Sequence, residues 1–173
     1  GQPLRLRLLV PDGPGTELAR DTGRRIARML RRVGVDTDVR TVRDAATFTD
    51  RVAAGKFDLA LYSWPATAFP ATDARPLYAK PEVDAGGVLE VGQNYSRVGT
   101  DHVNQLFERA MGELDEAARQ ELMRRADARI WAVAGSIPLY QRPELVAVRA
   151  GVANAGAFGL LTPRFQDIGF LQS

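Results

Sequence analysis

Leu4-Arg5-Leu6-Arg7-Leu8-Leu9-Val10 alternates apolar and basic residues and then becomes continuously apolar, as a strand entering a core does. Pro11-Asp12-Gly13-Pro14-Gly15 reads as a turn, with Thr16 placed to cap a helix beginning near Glu17. Leu18, Thr22, Ile26, Met29, Leu30 and Val33 recur at helical spacing and predict its packed face. Arg20, Arg24, Arg28 and Arg31 occupy another face, and Gly34 ends the helix. Residues 35–42 alternate again, with Val35, Thr37, Val39 and Thr41 on one side. Asp44 then caps a shorter helix whose Ala45, Phe48 and Val52 share a face, and Gly55 stops it. Residues 57–63 read as a third strand. The order strand-helix-strand-helix-strand predicts a parallel sheet with right-handed crossovers.

The stretch from Trp64 to about Thr100 changes character. It is rich in proline, glycine and alanine and has no sustained period, the mark of a long irregular segment with a functional or packing role. Beyond it, Val103, Leu106, Phe107 and Ala110 predict a helix. Asp115 caps another, with Ala118, Leu122, Ala126, Ile130 and Val133 on one face. Residues 137–140 and 145–148 read as strands on either side of Pro143, and the glycine-rich tail from 151 to 173 carries no clear element. There is no internal repeat. The expectation is a single α/β unit over 1–173, with one core and a parallel-type sheet flanked by helices.

Composition narrows the chemistry. The 173 residues are 45% hydrophobic and 25% charged, ordinary for a globular domain. No apolar run approaches the roughly 20 residues that span a bilayer, and no leader pattern opens the chain, so the expectation is an export signal upstream of Gly1 or none at all. The absence of cysteine excludes disulfides and thiolate chemistry within the chain. With His102 the only histidine, a histidine-based triad or multi-histidine zinc site cannot be built, and no cofactor is expected. His102 itself reads as a surface residue of a helix's first turn, with Asp101 as that helix's cap. Net charge is only +2, and acidic residues are interspersed among the arginines, which argues against a nucleic-acid partner. The Pro11–Thr16 turn lacks both GxGxxG and GK[ST] spacing, so it does not read as a phosphate loop.

Several phrases occur together and in order. Gly55-Lys56-Phe57-Asp58-Leu59-Ala60-Leu61-Tyr62-Ser63-Trp64 is followed by Gln93-Asn94-Tyr95-Ser96 and then by the helix from Asp101 to Ala110. Glu113-Leu114-Asp115-Glu116-Ala117-Ala118-Arg119 and Ser136-Ile137-Pro138-Leu139-Tyr140-Gln141 come next. This ordered set, across roughly residues 4–150, resembles the oligopeptide/dipeptide-binding (family 5) extracellular solute-binding proteins of ABC transporters. Gln141-Arg142-Pro143 and Gly151-Val152-Ala153-Asn154 look like the actinobacterial lipoprotein branch. The resemblance implies one lobe, the C-terminal one, of a two-lobed periplasmic-binding-protein-like (type II) fold, with an N-terminal lobe as partner. It also implies an ABC transporter permease as partner, a peptide or other small-molecule ligand, and an extracellular location with a lipoprotein tether. A binding module, not an enzyme, is the expectation.

Trp64, Tyr62 and Ser63 end a strand at the carboxyl edge of a parallel sheet, where open α/β folds bind ligands. The rings could stack on an apolar or sugar face, or pack as core. Asn94, Tyr95 and Ser96 offer neutral hydrogen-bonding groups for a ligand, or turn chemistry that shapes their own loop. In the peptide-binding members, an aspartate three residues after the tryptophan pairs with the peptide ammonium; the position here is Thr67, and the nearest following carboxylate is Asp73. A hydroxyl lacks the charge that a buried ammonium needs, which opens a neutral, glycan or glycolipid ligand. The rival readings are a cell-envelope scaffold that has lost ligand binding, and a small α/β enzyme, for which neither a nucleophile–base pair nor a phosphate cradle is present.

Overall fold

Leu8, Leu9 and Val10 leave water on both faces of one strand, and half of the architecture follows from covering them. In the computed structural model, which describes residues 3–143 and 145–171, β1 (Leu4–Pro11) is the middle strand of a three-stranded parallel sheet. β2 (Val35–Val42) pairs along its whole length, from Leu4 opposite Val35 to Pro11 opposite Val42. On its other side lies β3 (Leu59–Ala60), matched to Leu8 and Leu9. The third strand is therefore shorter than the expected 57–63. Single hydrogen bonds continue the pairing, from Asp58 N–H to the Arg7 carbonyl at 3.1 Å and from Leu61 N–H to that of Leu9 at 2.9 Å.

Because β2 and β3 lie on opposite sides of β1, right-handed crossovers place the two connecting helices on opposite faces. α1 (Glu17–Arg32) covers Leu8 and Val10. α2 (Ala45–Ala53) covers Leu9, with Phe48 and Val52 buried beside Leu9 and Val42. Asp44 caps α2 as expected, accepting from Thr47 N–H at 2.6 Å. The seam of α1 differs from the predicted one. Leu18, Met29 and Val33 are exposed, and Gly23 and Ala27 form the buried contact between the half-buried Thr22, Ile26 and Leu30. The largest apolar residues marked the wrong edge because contact with the sheet selects small ones: a Cβ on Gly23 would stand 2.8 Å from Val10 Cγ2. Thr16 does not cap α1 through its side chain. Its hydroxyl donates to the Gly13 carbonyl and accepts from Gly13 N–H, both at 2.7 Å, and so locks the preceding turn.

A second cluster of buried residues, all helical, replaces the expected single core. Val103, Leu106, Phe107 and Ala110 of α4 (Asp101–Gly112) pack on Leu122 and Ala126 of α5 (Glu116–Val133). Ala71 of α3 (Pro70–Tyr78) closes the cluster. The Asp115 carboxylate caps α5 by accepting from Ala118 N–H at 2.8 Å, while Thr100, not Asp101, caps α4 through Val103 N–H at 3.2 Å. Asp101 is instead the first helical residue and pairs with Lys80 Nζ at 3.0 Å.

The stretch read as irregular contains α3 and a short hairpin of β4 (Glu82–Val83) and β5 (Leu89–Glu90). Two prolines concealed α3. Pro70 sits in its first turn, where no backbone donor is lost, but Pro76 lies inside it. The strands expected at 137–140 and 145–148 are absent: these residues pair with no strand among those described, and Ile137 is 70% and Leu145 89% exposed. An apolar run becomes a strand only where a neighbouring strand accepts its hydrogen bonds. In the tail, β6 (Val152–Ala153) and β7 (Gly169–Phe170) form a two-stranded antiparallel pair. No described helix is long and apolar enough to cross a membrane.

Asp58 ties β3 to β1 from the side chain outward. Its carboxylate accepts from Arg7 Nε at 2.9 Å, Arg7 Nη2 at 3.1 Å and Arg7 N–H at 2.7 Å. The Arg7 guanidinium, above all through its hydrogen bond, lowers the Asp58 pKa to about 2. A depressed carboxylate adds stability above its unfolded value of about 4 and loses that contribution as pH falls through the folded value. Urea unfolding across pH should therefore show a loss of stability between about pH 4 and pH 2 that Asp58→Asn diminishes. Gly23→Ala would raise the stability of an exposed helix by about 1 kcal/mol. Here it should lower it by about 1–2 kcal/mol in denaturant unfolding, because Val10 is fully buried and cannot yield.

Candidate functional site

The chain leaves β3 at its carboxyl end through Leu61 and then presents Tyr62, Ser63 and Trp64 in succession. Tyr62 and Trp64 lie edge to face, their ring centroids 5.5 Å apart at 90°. Tyr95, more than thirty residues along the chain, completes the group. It stacks on Trp64 at 5.7 Å and 24°, and meets Tyr62 at 5.9 Å and 77°. Both geometries suit the aromatic quadrupole. Tyr62 and Tyr95 pack inward on the cluster formed by Leu9, Val42, Phe48 and Val52, whereas Trp64 remains 37% exposed. The result is an aromatic platform rooted in the sheet and open on its outer side. Burial pushes the Tyr62 phenol up from its ordinary value, with a hydrogen bond involving Trp64 opposing the shift. The phenol is thus a neutral donor at physiological pH. Ser63 is exposed beside it.

Asn94 and Ser96, expected as possible ligand partners, serve the loop that delivers Tyr95. Asn94 is 1% exposed, the only buried polar residue among those described. Its amide donates to the Ala79 carbonyl at 2.7 Å and the Val98 carbonyl at 3.0 Å, and its side-chain oxygen accepts from the Ser96 hydroxyl at 2.7 Å. An amide so enclosed and partnered has little left for a ligand; the turn-chemistry alternative describes both residues. Arg97 extends the attachment, its guanidinium donating to the Ala53 carbonyl at 2.8 Å at the end of α2. It lies so close over Gly55 that a Cβ there would stand 2.6 Å from a guanidinium nitrogen. Sequence reasoning missed Arg97, and its one signal was the glycine ending α2.

Thr67 does not stand alone. Asp73, one turn into α3, reaches back so that its carboxylate accepts from Thr67 N–H at 2.5 Å and from the Thr67 hydroxyl at 3.1 Å. The Thr67 hydroxyl in turn accepts from Phe69 N–H at 3.1 Å. A carboxylate from six residues further along the chain thus lies against Thr67. The sequence could place Asp73 no nearer than that count, because the helix carrying it was hidden by its prolines.

Among the described residues no group of three or more histidine, cysteine, aspartate or glutamate side chains could hold a metal. His102 is exposed on the first turn of α4. Removing the Asn94 amide would leave two part-buried carbonyls and the Ser96 hydroxyl without their partner. Asn94→Ala should therefore cost about 2–3 kcal/mol in denaturant unfolding, more than the same change at the exposed Asn154.

No protein-family model matches the chain. Curated relatives do: it is 32% identical over 143 residues to the oligopeptide-binding protein OppA of Mycobacterium bovis and that of Mycobacterium tuberculosis. The match takes in 83% of this chain and 23% of each relative, so the chain spans less than a quarter of the relatives' length. Among solved structures, the Helicobacter pylori periplasmic binding protein DppA in complex with the peptide STSA superposes over 97% of this chain and 31% of its own, with a TM-score of 0.70 at 18% identity. The Escherichia coli murein tripeptide-binding protein MppA covers 78% of this chain and 24% of its own, with a TM-score of 0.64 at 22% identity. Those two likenesses establish the fold, and the α/β arrangement is that of the type II periplasmic-binding proteins. By ordered motifs, by homology with the mycobacterial proteins and by fold, the chain belongs to the oligopeptide/dipeptide-binding family of solute-binding proteins, of which it represents a segment.

Proposed function

We propose that this chain is a ligand-contacting lobe of an extracellular solute-binding protein that delivers a small ligand to an ABC transporter. The observation carrying this reading is the Trp64–Tyr95 stack, supported beneath by Tyr62 and open at the carboxyl edge of the sheet. A flat, rooted aromatic surface contributes contact area at small entropic cost, and closure by a second lobe would remove water from it. Capture by such a surface is non-covalent and requires neither nucleophile nor cofactor. A scaffold that had lost binding is expected to show an occluded or apolar edge around Trp64, and a binding lobe an open edge with convergent polar groups. The partial exposure of Trp64 and the exposed Ser63 beside it favour the second.

A peptide is the ligand class best supported. The relatives named above include oligopeptide- and tripeptide-binding proteins, and the Asp73 carboxylate at Thr67 supplies the charge that an ammonium group needs. A neutral or sugar-bearing ligand, such as a glycolipid headgroup, is the second reading. It is favoured by the flat stack and by the two bonds that Asp73 already accepts from Thr67.

Thermal-shift titration of the full-length protein with peptides, oligosaccharides and glycolipid headgroups tests both readings. Trp64→Ala should weaken ligand binding about tenfold while lowering stability by only about 1 kcal/mol, since the ring is partly solvated. Asp73→Asn separates the classes, abolishing the response to peptides under the first reading and sparing that to sugars under the second. A ligand response indifferent to Trp64→Ala would remove the platform from the site.

A further inference from the structure

On the outer side of the helical cluster, α4 and α5 enclose an open groove of about 290 Å³ lined by His102, Arg125, Ala128, Arg129 and Ala132. Its charge is one-sided. Arg125 and Arg129 are four residues apart on α5, so their side chains rise from adjacent turns of one face, and His102 approaches from the first turn of α4. Ala128 and Ala132 leave the space between them unobstructed.

The neighbouring charges are already engaged. Arg119 pairs with Glu116, Arg124 with Glu121 at 2.7 Å, Arg75 with Glu108 at 3.6 Å, and Lys80 with Asp101 at 3.0 Å. Arg125 and Arg129 take part in no ion pair among the described residues. Asp127 lies two positions from each of them, a spacing that turns it to another side of the helix. Two guanidinium groups without carboxylate partners thus share a groove with an imidazole. Their planar N–H forks match a tetrahedral oxyanion, which can accept from both at once.

From this convergence we infer a second ligand site, separate from the aromatic platform: a phosphate-binding groove formed by Arg125, Arg129 and His102. The ligand chemistry is a phosphate monoester or its inorganic equivalent, whether free in solution or on a lipid headgroup. The site requires nothing of the transport reading and stands or falls apart from it.

Because His102 is the only histidine, its imidazole resonances report on the groove without ambiguity. Inorganic phosphate titrated into the chain at constant ionic strength should shift them saturably, and matched chloride should not. The double variant Arg125→Gln/Arg129→Gln should weaken that response about tenfold, with the melting temperature unchanged, as both residues are exposed. Arg109→Gln, on α4 outside the groove lining, should leave it intact, and each single variant should fall between. Sedimentation with phosphatidylcholine vesicles, with and without phosphatidic acid, assigns the source. Arginine-dependent pelleting with phosphatidic acid indicates a headgroup, and a phosphate response without pelleting indicates a soluble ester. A response that does not saturate, that chloride reproduces, or that survives the double variant would overturn the site.

Discussion

A single buried amide holds the site together. Asn94 lies where the end of α3, the loop carrying Tyr95 and the approach to α4 meet, and its side chain bonds to the Ala79 carbonyl, the Val98 carbonyl and the Ser96 hydroxyl. A polar group taken out of water must find partners in the fold, so its satisfied state admits one loop conformation. That conformation sends Tyr95 onto Trp64. It also brings the Arg97 guanidinium to the end of α2. The loop thus bonds to the end of α3 through Asn94 and to the end of α2 through Arg97.

The platform draws its form from both sides of that junction. The segment after β3 contributes Tyr62 and Trp64, since the last hydrogen bond to β1 is that of Leu61 and the residues beyond it are free of sheet pairing. The loop contributes Tyr95. Two rings are partly sunk in the sheet cluster and the third is partly in water, so the group is stiff underneath and open above. Asp73 belongs to the helical side, and its bonds to Thr67 fasten the segment after Trp64 to α3. The same helical side carries Arg125 and Arg129, in no ion pair among the described residues, on the outer surface of α5, while its apolar face builds the core.

Local chemistry was enough for much of the fold. The strands at 4–10 and 35–42, the Asp44 and Asp115 caps, the periodic face of α4 and the Leu122, Ala126 and Ile130 part of that of α5 appear as read, because each depends on residues within one or two turns. Val133, by contrast, is exposed, and Val42, not Thr41, is the buried residue of β2. The errors share a cause. α1 was rotated because close approach to the sheet favours Gly23 over the bulkier Met29, and α3 was hidden because Pro76 is tolerated only where packing by Ala71 sustains the helix. Residues 137–140 and 145–148 have the composition of strands and no strand beside them.

The sequence by itself determined the parallel βαβαβ order, the family to which the ordered motifs point, and the candidacy of Tyr62, Trp64 and Tyr95. Each of these is written in neighbouring residues or in their spacing. Only the tertiary structure decided that Tyr95 stacks on Trp64, that Asn94 and Ser96 are loop bonds, and that the Asp73 carboxylate accepts from Thr67. These outcomes depend on where buried polar groups find their partners, and such partners lie in segments whose separation in space no local pattern encodes.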